Sequence, residues 1–182
     1  MKKAVAFGLF GALVLALPAS AEVGQGTAEV GAGVGYTSMD SNKSVSNTND
    51  SGTAIGVRGG YNFTKLFELE GQVSDTSASD SGVDIGLNTY MVNAVFNFHP
   101  KDSIEPYVLG GVGYASLSAD SALGSVSDSS NAFQVAVGSR FFFGAKKQAG
   151  VRVELASLNE KTFNESSIHN DVNVGFIWMF GR

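Results

Sequence analysis

Seven charged side chains stand out in a chain that is otherwise sparing with charge: Glu29, Arg58, Glu68, Glu70, Arg140, Arg152 and Glu154. Only 16% of the 182 residues are charged, yet these seven lie in segments made largely of glycine and apolar residues. Four carboxylates and three guanidiniums held away from water would persist only as ion pairs. Such a set could be a fixed network that fills and rigidifies an interior, or a gate whose pairs exchange to pass ions. A second candidate is "SSIHND", which brings Ser166, Ser167 and Asp171 near His169, the residue types of a hydrolytic triad. Proximity within a serine-rich segment is all that speaks for it. The other histidine, His99, precedes Pro100 and reads as a turn residue. "MDSNKSVSNTNDSG" lacks the ordered ligand spacing and central glycine of a calcium loop. "GAGVGY" is not followed by a helix, so it is no dinucleotide fingerprint. No catalytic, cofactor-binding or metal-binding residue is assigned, and no cofactor is expected.

The elements that position the seven charges are strands. Eight segments show period-two alternation, at about 27–37, 53–63, 66–74, 88–98, 106–116, 132–143, 151–157 and from 171 to the end. One face of every segment is apolar and free of charge, as with Val30, Val34, Ile55, Val57, Val92, Val112, Val135, Val137, Leu155, Val172, Val174 and Phe176. The opposite face carries the seven charges, Asn62, Gln72, Asn93, Asn97 and Gln134, and many glycines. Glycine suits a cramped interior and is wasted on a solvated surface. The pattern therefore predicts a barrel turned inside out, with apolar side chains outward and polar and small ones inward.

Segments of 9 to 11 residues match a tilted strand crossing a bilayer, and a sheet in lipid must close completely. The expected fold is all-β: an eight-stranded antiparallel up-and-down transmembrane β-barrel. Aromatics give an independent cue. Tyr61, Phe63, Phe67, Phe96, Phe98, Phe141, Phe143, Trp178 and Phe180 fall at the short-turn ends, and Tyr36, Tyr90, Tyr114 and Phe133 toward the other ends. Two girdles of lipid-interface aromatics would look like this. The short connections (64–65, 99–105, 144–150) are expected to face the periplasm. The longer ones (38–52, 75–87, 117–131, 158–170), rich in Ser, Asp and Asn, are expected to be four extracellular loops. Eight strands leave an interior just filled by side chains, which favours the structural use of the charges over the gate. Arg58 and Arg140 are expected to pair with Glu68, Glu70 or Glu154.

The leader fits this placement. Residues 1–21, "MKKAVAFGLFGALVLALPASA", have a basic start, a short apolar run and an Ala-Ser-Ala end, which read as a cleaved secretory signal peptide. The barrel domain is then 22–182. The apolar run is short for an anchor helix, and no cysteine precedes the cut to take a lipid. The formal net charge is −5, and no basic patch is present, so nucleic acid is not an expected partner. The asparagines of the Asn-x-Ser/Thr sites, Asn42, Asn62 and Asn164, carry no weight in a bacterial outer membrane.

Three stretches resemble a known family. "EPYVLGGVGYASL" resembles the fifth strand, "AFQVAVGSRFFF" the sixth and "VNVGFIWMF" the closing strand of the OmpA-like and OmpX-like eight-stranded outer-membrane barrels. The resemblance covers the barrel only, without a peptidoglycan-binding domain. It implies a protein of the Gram-negative outer membrane, monomeric, in contact with outer-membrane lipid and lipopolysaccharide. It also implies that periplasmic chaperones and the barrel-assembly machinery insert it. The implied role is structural or interactive, through membrane integrity, adhesion or host contact. A narrow ion channel gated by the Glu/Arg pairs is the alternative, and a lipid-modifying enzyme comes third. The final strand is similar to the family's assembly signal, with Phe180 in the closing aromatic place and Gly181 and Arg182 beyond it. It should pair with the first strand. A soluble lipocalin-type barrel would need a charged exterior and an early Gly-x-Trp motif, and neither is present.

Overall fold

The computed structural model of the chain describes residues 24–40, 50–80, 83–98, 103–121, 124–144, 146–162 and 165–181. The leader, His99, Asn42 and Asn164 lie outside them. Eight antiparallel strands follow one another around a closed barrel: β1 (Ala28–Asp40), β2 (Asp50–Asn62), β3 (Phe67–Asp80), β4 (Val83–Asn97), β5 (Ile104–Ser121), β6 (Gly124–Phe143), β7 (Ala149–Thr162) and β8 (Glu165–Phe180). β8 closes on β1 from Ala28↔Phe180 to Asp40↔Ile168, so neither strand is left as an open edge.

The register fixes the geometry. Following one row of directly paired residues from Asn62 through Glu68, Val95, Leu109, Ala136, Ala156, Asp171 and Thr37 returns to β2 at Gly52. The row comes back displaced by ten residues, which is the shear of the barrel. With strands about 4.8 Å apart and a rise of about 3.3 Å per residue, eight strands at that shear tilt by about 40° around a cylinder of about 8 Å radius. Little open bore survives once side chains point inward.

Outward positions are apolar and exposed, including Val34, Ile55, Val92, Val112, Val135, Val137, Leu155, Val174 and Phe176. The aromatics bound this belt. Tyr61, Phe63, Phe67, Phe98, Phe143 and Trp178 are exposed near the end that carries the chain termini, and Phe96, Phe141 and Phe180 are half-buried there. Edge-to-face pairs join Tyr61 to Phe63, Phe67 to Phe96 and Phe96 to Phe98, with centroids 4.9 to 5.1 Å apart. Tyr36, Tyr90, Tyr114 and Phe133 are exposed toward the other end. Phe133 to Phe143 spans roughly 25 Å at this tilt, the height of a bilayer's apolar core.

The strands run further than the alternation predicts, and three expected loops are largely ladder. β3 and β4 stay paired to Asp80↔Val83, β5 and β6 to Ser121↔Gly124, and β7 and β8 to Thr162↔Glu165. Beyond the upper aromatics the outward residues become Ser38, Ser77, Asn88, Ser116, Ser129, Asn131, Asn159 and Asn170. Where both faces meet water, hydrophobic alternation vanishes, although the backbone still gains by pairing. β6 continues from Phe133 to Gly124, which carries this hairpin roughly 20 Å past the girdle. At the terminal end the connections are tight. The Thr64 hydroxyl accepts from the amides of Leu66 and Phe67 at 3.2 and 3.0 Å, and Gly144 takes φ 74° after β6.

Candidate functional site

All seven charged residues point into the lumen, in the half nearer the chain termini, and they converge. Arg140 and Arg152 lie directly opposite each other on β6 and β7. Like charges in that relation repel, so each needs its own counter-charges. Arg140 holds three carboxylates, with Nε 2.8 Å from Glu29, Nη2 2.7 Å from Glu68 and Nη1 2.9 Å from Glu105. Its Nη1 also donates to the Asn97 side-chain oxygen at 2.6 Å. Arg152 reaches Glu154 at 2.7 Å, Glu29 at 3.3 Å and Glu70. Arg58 forms a fork on Glu154 at 3.2 and 3.4 Å and lies 3.7 Å from Glu70. Arg140 and Arg152 are 0% and 2% exposed, so these pairs are desolvated.

Two members of this network escape the sequence reading. Glu105 is fully buried against Arg140, although its place before Pro106 assigns it to a turn. Tyr107 sits between the two guanidiniums, with Cζ of Arg140 4.8 Å and of Arg152 4.3 Å from its ring centroid. The Tyr107 hydroxyl accepts from Arg152 Nε at 2.6 Å and donates to Glu154 at 2.7 Å. Inward parity on β5 marks both residues: Glu105, Tyr107, Leu109 and Gly111 alternate with the outward Pro106, Val108 and Gly110.

Amides extend the network. Asn93 donates to Glu70 at 3.1 Å and Gln72 at 3.2 Å. Asn97 donates to Asn62, and Asn62 to the Thr27 hydroxyl, each at 3.2 Å, which carries the chain of bonds to the terminal mouth. Oxygens of Glu29, Glu68 and Glu70 lie within 4.8 Å of one another, close enough to share a metal ion. Arg140 and Arg152 already engage all three, which makes this a counter-ion cluster.

Around the network the lumen is unequal. The apolar inward residues fall mainly on β4 to β7: Leu87, Met91, Ala115, Ala132 and Leu158 form one cluster, and Val95, Tyr107, Leu109, Ala136 and Ala156 another. Phe142, Ile177 and Met179 close the terminal end. β8, β1 and β2 instead offer Gly175, Gly33, Gly35 and Gly56 to a cavity of about 40 Å³ above the network. That is room for a few waters. Arg58, Arg152 and Glu154 form part of its lining, as do Thr37, Thr76, His169 and Asp171.

His169 and Glu160 were expected in an extracellular loop. Both are buried on strands, and His169 Nε2 is 3.2 Å from Glu160 Oε1. Ser167 pairs with Glu160 and Ser166 with Lys161 in the ladder. His169 is thus engaged with a carboxylate.

Known proteins place this architecture. Solved structures with the same fold include Neisserial surface protein A (TM-score 0.71, 13% identity, 85% of this chain and 99% of that one). Ail, the attachment invasion locus protein of Yersinia pestis, aligns with TM-score 0.58 and 16% identity over 86% of this chain and 99% of Ail. The N-terminal barrel of Pseudomonas aeruginosa OprF aligns with TM-score 0.56 and 17% identity over 85% and 99%. No curated protein matches the sequence. The family match runs over residues 7–180, nearly the whole chain, and the protein belongs to the outer membrane protein beta-barrel domain family.

Proposed function

We propose that the chain is an exported surface protein of the Gram-negative outer membrane whose work is done by its outer wall and hairpins, not through its lumen. In this reading residues 1–21 are cleaved and the barrel 22–182 is inserted by periplasmic chaperones and the assembly machinery. The short turns then face the periplasm and the long hairpins face out. The observation that carries it is the filled lumen: Glu29, Glu70, Glu105, Tyr107, Arg140, Arg152 and Glu154 are each at most 2% exposed and bonded across the bore. This supports a structural or interactive role over the ion-channel alternative. The surfaces left for contact are the apolar belt, which suits lipid, and the Ser/Asn-rich strand extensions, which stand at the height of lipopolysaccharide sugars or beyond.

Fractionation with heat-modifiable gel mobility tests the placement. Folded protein should be in the outer membrane and migrate differently unboiled, and a soluble periplasmic product would refute it. Planar-bilayer recording tests the role. We expect no steady conductance, and a stable open channel would return the function to the lumen.

A further inference from the structure

Away from the ion-pair network, at the hairpin end of the lumen, three residues have no part in the reading above: Glu160, His169 and Asp171. Glu160 and His169 are 2% and 6% exposed. His169 Nε2 lies 3.2 Å from one Glu160 oxygen, and His169 Nδ1 is buried without a hydrogen-bond partner. His169 and Asp171 both line the 40 Å³ cavity, whereas Glu160 lies outside its lining. The ring therefore has one nitrogen on a carboxylate and the other unpartnered, in a residue that lines the cavity.

This is the arrangement by which proteins prepare a histidine for a metal ion. A carboxylate that accepts the N–H of one ring nitrogen fixes the tautomer and leaves the other nitrogen as a lone pair. His169 and Asp171 are two apart on β8 and share its inward face, about 6.8 Å between Cα atoms at normal strand rise. Thr37 stands opposite Asp171 on β1 and lines the same cavity. One imidazole nitrogen, one carboxylate and a few waters make a borderline-soft coordination set suited to Zn²⁺ and its neighbours, not to Ca²⁺.

We propose that the hairpin-end cavity is a binding site for a divalent transition-metal ion, ligated by His169 Nδ1 and Asp171, with Glu160 as the positioning residue that orients the imidazole. The site stands at the upper edge of the apolar belt, since Asp171 pairs with Thr37, one residue past the girdle Tyr36, and Asn170 and Asn159 face outward beside it. The assignment uses only the inward face of β7, β8 and β1, so it holds whichever way the barrel is inserted.

The test uses the folded, tag-free barrel in detergent micelles, its fold verified by heat-modifiable mobility. Co²⁺ is titrated and followed by its visible d–d bands, Zn²⁺ displaces it, and Cu²⁺ is read by electron paramagnetic resonance for nitrogen hyperfine structure. The expected result is one equivalent of metal saturating in the micromolar range, with coupling to a single nitrogen. His169→Gln and Asp171→Asn should abolish the d–d signal. Glu160→Gln should weaken binding by about 10- to 100-fold while keeping the nitrogen coupling, as loss of an orienting partner does. His99→Ala should leave binding unchanged. The proposal is overturned if folded wild-type protein takes up no Co²⁺ or Cu²⁺ at millimolar metal, or if binding survives His169→Gln. Should Glu160→Gln bind as wild type does, the positioning role is wrong.

Discussion

Arg140→Met is the sharpest test of how the lumen is held together. In the native barrel Arg140 is fully buried and is the shared counter-ion of Glu29, Glu68 and Glu105 at 2.7 to 2.9 Å. Methionine fills much of the same volume but leaves those carboxylates short of compensation, with only Arg152 near Glu29 at 3.3 Å. Removing one partner from a buried pair costs about 3–5 kcal/mol, whereas replacing a whole set by uncharged groups can be neutral. We therefore expect Arg140→Met to lose about 3–5 kcal/mol, and Glu105→Gln alone to lose about 1 kcal/mol because its amide oxygen can still accept from Arg140. Adding Glu105→Gln and Glu68→Gln to Arg140→Met should recover part of the loss, since residues in one network couple by about 0.5–3 kcal/mol. The assay is urea unfolding in phospholipid vesicles, followed by Trp178, the only tryptophan. The reasoning fails if Arg140→Met costs less than about 1 kcal/mol, or if the three changes together are worse than the arginine change alone.

Other perturbations report on separate parts of the fold. A β-carbon on Gly138 would strike the Tyr107 ring and lie 2.6 Å from the Val153 carbonyl, so Gly138→Ala should cost about 1–3 kcal/mol or more. Gly110 has nothing within 4 Å of such a carbon, and Gly110→Ala should unfold at the wild-type urea midpoint. Val108→Arg, at the middle of the outward face of β5 and opposite Val137, should cost about 2–4 kcal/mol in vesicles, whereas Asn131→Arg, above the girdle, should be nearly neutral by the same unfolding assay. Tyr107→Phe removes an acceptor from Arg152 and a donor to Glu154. It should cost about 1–3 kcal/mol without opening a conductance in planar bilayers.

The barrel was readable from the sequence because outward positions answer to a single demand. Lipid penalises any polar atom, so Val30, Val57, Val112 and Leu155 stand in clean alternation, and their strands follow. The lumen answers to several demands at once. Its β4–β7 side packs Leu87, Met91, Val95 and Leu109 inward, and outward neighbours such as Tyr90, Val92 and Val108 are apolar too, so the inward face of β4 is marked only by Thr89, Asn93 and Asn97. Four of the charges were visible because Glu29, Arg58, Arg152 and Glu154 sit among glycines and valines. Glu105 was hidden by Pro106, which reads as a strand start, and only its parity with Tyr107 places it inside. Glu160 and His169 were hidden for the same reason as the hairpins: in "ASLNEKTFNESSIHND" both faces are polar, and no hydrophobic period tells in from out.

What the alternation misses, the glycines encode. Several large polar side chains of the interior have a glycine where a side chain would collide with them. A β-carbon at Gly138 would run into Tyr107, one at Gly60 into Glu68, one at Gly111 into Asn93, and one at Gly31 would press the Arg58 stem at 3.2 Å. At Gly33 and Gly175 the obstacle is backbone instead, with Val174 and Ala32 carbonyl oxygens at 2.8 and 2.9 Å. Those two residues pair directly and, with Gly56, extend the row that begins at Glu105, Arg140 and Arg152. One turn of the barrel thus has three long charged side chains, then three residues with none, and closes through the short Ser74 and Thr89 on β3 and β4. A cylinder of about 8 Å radius cannot hold long inward side chains from all eight strands at one level. The bulk must be shared around the ring, and placing it on β5 to β7 while emptying β8 to β2 lets the guanidiniums reach the carboxylates of β1 and β3. The inward glycines are therefore as much a part of the ion-pair network as the arginines are.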